Sequence, residues 1–176
     1  MRPGVVRAAL CGVALAFLAG CGIAGNQAAL YRSEKALYEA RKAEASLRLA
    51  GARPDSAELM KVRAKYLAVR KGAPGPYRVP DAGPGREAAL ALIHVVASAE
   101  TQGARLALMA QRPDLTLEAA RWLRQEASAD TMSARQAYFM TIAALQGMRR
   151  FDDAAKERYV PFIIETLKKY PRLRAS

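Results

Sequence analysis

The sequence predicts an all-α protein of about six helices, built as antiparallel helical hairpins or an irregular helical bundle. Three observations carry that prediction. Small and apolar residues recur at spacings of three and four through the long segments after residue 27. Helix breakers are gathered at a few sites, most densely in "GAPGPYRVPDAGPGR" at 72–86, where four glycines and four prolines fall among fifteen residues. Asp55 followed three residues later by Glu58 has the form of a capping box, which marks a helix start.

In the first helix Ala29, Ser33, Ala36, Ala40, Ala43, Leu47 and Ala50 share one face, with Leu30 and Leu37 beside them, so a neighbouring helix can approach closely. Gly51 is the expected stop and Arg53-Pro54-Asp55 the expected turn. The second helix opens on Asp55 and buries Leu59, Val62, Tyr66 and Val69. Residues 28–71 thus read as a helical hairpin, 72–86 as a flexible or extended connector, and 87–176 as a larger helical body. Glu87 to Met109 forms a long helix whose first half, "AALALIHVVASA", is apolar on all sides, the pattern of a helix buried all round. Arg112-Pro113-Asp114 ends it, and helices follow at Leu115 to Ala127, Met132 to Gln146 and Asp152 to Tyr170, the last carrying a kink at Pro161. "ASLRLAGARPD" at 45–55 shares six of eleven positions with "ARLALMAQRPD" at 104–114, as a duplicated hairpin would, although chance is a rival in so alanine-rich a chain.

Two resemblances to known families add to this. Arg2 and Arg7, the apolar run Ala8 to Ala19 and the small pair Ala19-Gly20 have the three-part build of an export signal. That run of twelve residues reaches only ~18 Å, short of a ~30 Å hydrocarbon core. With Leu18-Ala19-Gly20-Cys21 it resembles the lipobox of bacterial lipoproteins. The resemblance implies a signal peptide at 1–20, cleavage after Gly20, and a lipidated, palmitate-bearing Cys21 at the head of a short tether, 21–27. Gly22 occupies the place where an aspartate marks lipoproteins kept in the inner membrane, so the implied address is the outer membrane, facing the periplasm. Second, Tyr138, Ala144, Leu145 and Phe151-Asp152-Asp153-Ala154, with Lys169-Tyr170-Pro171, are similar to a tetratricopeptide hairpin. Arg149 at the turn, the late closing proline and Pro161 depart from that pattern.

Cys21 is then the lone cysteine of the mature chain, so stability rests on a packed core, for which ~156 residues suffice. His94 is the single histidine and has no cysteine or histidine partner for a metal, so no metal or cofactor is expected. His94 and Ser98 share a helix face but lack a third group to orient the imidazole, and His94 is expected in the core or in a groove. Glu100 in "ASAETQGARLALMAQ" is faintly similar to the acid of a lytic transglycosylase, but Gly103 follows too soon to leave a substrate loop, and a solvated carboxylate is expected instead. No catalytic set is assigned, and the chain is not expected to be an enzyme. Without Arg2 and Arg7 the mature chain keeps 26 basic against 16 acidic residues, a net charge of about +10. Export removes nucleic acid as a partner. Two basic clusters, Lys61, Arg63, Lys65, Arg70 and Lys71, then Lys168, Lys169, Arg172 and Arg174, are candidates for contact with anionic lipid or wall polymer. Trp122, Tyr31, Tyr38, Tyr66 and Tyr138 are candidate groove anchors, with ordinary packing the alternative. The functional expectation is a membrane-anchored lipoprotein acting as a periplasmic adaptor or assembly factor for an envelope protein. The alternatives are a structural binder of anionic lipid or polymer and, further off, a wall-active enzyme using Glu100.

Overall fold

The computed structural model describes residues 27–51, 53–73, 75, 77, 79–129, 131–147 and 153–169. Among them it is all-helical, with six helices: α1 (27–49), α2 (Ser56–Gly72), α3 (Pro84–Met109), α4 (Pro113–Glu126), α5 (Thr131–Gly147) and α6 (Asp153–Lys169). None is long and apolar enough to cross a membrane.

The expected small-residue face of α1 is the buried one as far as Leu47: Ser33 and Ala40 are sealed from solvent and Ala36, Ala43 and Leu47 partly so, whereas Ala50 lies past the helix end and is exposed. Gly51 takes a left-handed backbone at φ 73°, which glycine adopts without a Cβ clash, and turns the chain into α2. The capping box is complete. Asp55 Oδ1 accepts from the Glu58 amide at 2.7 Å, and Glu58 Oε2 accepts from the Asp55 amide at 3.1 Å. Leu59, Val62, Tyr66 and Val69 are all buried, as the spacing predicts.

Sequence and structure differ in where α3 and α4 begin. Each opens on a proline in its first turn, Pro84 and Pro113, where the missing N–H costs nothing because no intrahelical acceptor awaits it. Helix α3 therefore starts three residues before Glu87, and the breaker-rich segment shrinks accordingly. What remains is no detached linker. Tyr77 and Val79 are half-buried, and the Tyr77 hydroxyl donates to the Ala73 carbonyl at 2.5 Å. Residues on both sides of this segment share one core, since Leu37, Leu59 and Val62 cluster with Leu92, Val96 and Leu106.

Helix α3 lies in the middle. One face packs on α1 and α2, while Ile93 and Ala97 on the other pack with Ala120, Leu123, Ala127 and Ala137 from α4 and α5. Burial on two sides is why its sequence is apolar almost all round. Helices α2 and α3 run antiparallel. The Ser56 hydroxyl at the head of α2 donates to the Ala110 carbonyl at the foot of α3 (3.2 Å), while Arg70 at the end of α2 meets Glu100 farther back along α3. That Ser56 bond also joins the two "RPD" corners. The triplets do different work there: Asp55 is the N-cap of α2, whereas Asp114 lies inside α4 and is held by Arg112 through two bonds of 3.0 and 2.8 Å.

Candidate functional site

Two charged clusters are built into the faces of α1, α2 and α3. The first grows from Glu44, which sits on the buried side of α1 four residues after Ala40 and is only 7% exposed. A buried carboxylate needs donors. Tyr66 on α2 donates its hydroxyl at 2.6 Å, Arg48 one turn along α1 donates at 2.6 Å, and Arg105 on α3 closes the set. Burial is the largest influence on the Glu44 carboxyl and pushes its pKa up. The Tyr66 and Arg48 hydrogen bonds and the Arg105 charge together outweigh it, and the group is held below its ordinary value of 4.5. Burial and the neighbouring carboxylate both raise the Tyr66 phenol, so Tyr66 stays a donor.

Glu44, Arg48 and Arg105 of this cluster line a cleft of about 460 Å³ between the α1–α2 corner and the end of α3. Leu47, Leu59, Leu106 and Met109 give it an apolar lining, and Arg48, Arg53 and Arg105 set three positive charges against Glu44. A site so made suits an apolar side chain accompanied by negative charge. Met109 is half-exposed at its rim.

The second cluster corrects an expectation. Glu100 is 2% exposed rather than solvated, because α3 turns it toward α2. Arg70 Nη1 pairs with it at 3.1 Å, and Arg63 is buried nearby. Burial dominates and raises the Glu100 pKa, with the Arg70 and Arg63 charges opposing. Arg70 in turn lies 5.3 Å from the ring centre of Trp122, which meets Tyr77 edge-on at 5.9 Å. Burial, its largest influence, pushes the Tyr77 phenol up to about 12. Glu100 does not line the cleft.

Other candidate residues separate as follows. In the first basic cluster Arg63 is buried and Arg70 is half-buried against Glu100, while Lys61, Lys65 and Lys71 are exposed. Lys168 is exposed on α6, while Gly20, Cys21, Arg172, Arg174 and the side chain of Lys169 lie outside the described residues. His94 is exposed on α3, not in the core, because it falls on the narrow outward stripe that also carries Arg105 and Met109. Tyr66 is core and Trp122 is packing; Tyr138 lies edge-on to Phe139 at 5.4 Å; Tyr31 and Tyr38 stand out in solvent. Among the described residues no three histidine, cysteine or carboxylate side chains are grouped as a metal site. Sequence reasoning missed Glu44 and Arg105. The signal for Glu44 was present, since it follows Leu37 by seven and Ala40 by four on the face assigned to the core.

No protein-family model, curated protein or solved structure matches the chain.

Proposed function

We propose that the chain is an exported lipoprotein, anchored through Cys21 at the outer membrane and facing the periplasm, whose helical body is an adaptor or assembly factor for an envelope protein. The observation that carries the adaptor half is the cleft between the α1–α2 corner and α3. Its apolar lining and excess of arginine fit a partner segment with a hydrophobic anchor beside acidic residues. The anchor half rests on the lipobox Leu18-Ala19-Gly20-Cys21 and the export signal before it. A tether of six residues holds the body within ~20 Å of the lipid, where envelope partners are assembled.

The test is in-cell cross-linking of the intact protein, membrane extraction and mass spectrometry, beside Cys21→Ala and Arg53→Glu. One defined complex, lost from the membrane in Cys21→Ala and weakened at least tenfold in Arg53→Glu, is the expected outcome. Recovery of wall polymer or lipid alone would favour the surface-binding alternative through Lys61, Lys65, Lys71 and Lys168.

A further inference from the structure

Helix α1 has a second face that its core contacts leave open. At 100° per residue, Tyr31, Lys35, Tyr38, Lys42 and Leu49 project within an arc of about 60°, along a line of about 27 Å. All five are exposed, Tyr31 by 68%, Tyr38 by 64% and Leu49 by 86%. The opposite side of the same helix carries Ser33, Leu37, Ala40 and Glu44 into the core, so this face cannot be turned inward.

We infer that the Tyr31–Leu49 face of α1 lies on the headgroup layer of the membrane that holds the lipid anchor. Three features select a lipid surface over a protein partner. Each tyrosine and lysine here is an apolar stem with a polar tip, which suits the interface between headgroups and acyl chains, whereas lysine is depleted from dry protein interfaces. Arg32, Lys35, Arg41 and Lys42 outnumber Glu34 and Glu39 along the exposed sides of the helix, which complements anionic lipid. Cys21 lies only six residues before the first residue of α1, so the near end of this face is held within ~20 Å of the acyl chains. Laid flat, α1 turns α2 and α3 toward the periplasm and leaves the arginine-rimmed cleft at the far end of the helix from the tether.

The inference rests on the lipoprotein reading for its tether, and one experiment separates the two. A photoreactive phenylalanine is placed at Tyr38, or at the exposed Lys61 of α2, in the full-length protein in cells. After irradiation the membrane-extracted protein is digested and weighed. Phospholipid adducts at position 38 at least fivefold above those at 61 are expected, and they fall when Tyr31→Ser and Leu49→Ser are added. Equal adducts at 38 and 61, or protein adducts at 38, overturn the inference. The same spectra show whether the peptide beginning at Cys21 is acylated. An acylated peptide with no lipid adduct at 38 overturns the face and keeps the anchor, whereas an unmodified peptide with lipid adducts at 38 does the reverse.

Discussion

Tyr66 on α2 donates a 2.6 Å hydrogen bond to Glu44 on α1, and the pair ties α1 to the rest of the fold behind the cleft that Glu44 lines. Both residues are buried, and Glu44 is the acceptor of the Tyr66 hydroxyl while Tyr66 is one of three donors to Glu44. Tyr66→Phe removes one of three donors to a buried carboxylate, and Glu44→Leu leaves the phenol without its acceptor. Each should cost about 1–3 kcal/mol in urea denaturation. The double substitution should cost clearly less than the two single values combined, because the second change removes a group already deprived of its partner.

The two buried carboxylates should respond to pH with opposite sign. Glu44 has a lowered pKa, so its contribution is present above 4.5 and is lost as pH falls through the depressed value. Glu100 has a raised pKa, so its charge carries no penalty below 4.5 and an increasing one as pH rises from there through the raised value. Relative to the unchanged protein, Glu44→Gln should therefore gain Tm as the solution is acidified below pH 4.5, and Glu100→Gln should gain as it is made less acid above pH 4.5. Parallel melting curves across that range for all three proteins would contradict both assignments.

Gly103 marks where α2 and α3 approach. A Cβ there would meet Tyr66 Cβ at 3.5 Å and Arg63 Cγ at 3.7 Å, which is ordinary contact. Gly103→Ala should consequently stabilise by up to about 1 kcal/mol through helix propensity alone. Gly103→Leu has nowhere to place its further carbons without moving Tyr66, and should destabilise by about 1–3 kcal/mol.

Leu123 on α4 is sealed in the cluster that joins α3, α4 and α5. Leu123→Ala opens a cavity there, with an expected loss of about 2–5 kcal/mol. Asp55→Ala, at the surface, removes only the α2 cap and should cost about 0.5–2 kcal/mol. If the two losses were equal, the core would not be where Leu123 places it.

Most helices were legible in the sequence because α1 and α2 each bury one stripe, and a stripe leaves a period. Asp55 and Glu58 fixed one boundary to the residue, as capping boxes do. Helices α3 and α4 begin two to three residues before the sequence predicts, because Pro84 and Pro113 read as breakers whereas a proline in the first turn belongs to the helix it opens. Charged residues were the least legible. Glu44 and Glu100 are of a type that usually faces water; helical spacing puts Glu44 on the core face, but the partners that compensate its burial, Tyr66 and Arg105, lie 22 and 61 residues away, where no local pattern reveals them. His94 failed in the opposite way, since an apolar neighbourhood along the chain did not place it on the buried side of α3.

On the proposed function, the arginine-rimmed cleft of the anchored helical body holds a segment of an envelope partner. The most direct test is a photoreactive side chain at Met109, on the rim of that cleft, in the intact protein in cells. A cross-link to one envelope protein is expected, mapped to a peptide of that protein with an apolar residue beside acidic ones, and lost with Arg53→Glu. No protein cross-link from Met109, or one unchanged by Arg53→Glu, would contradict it.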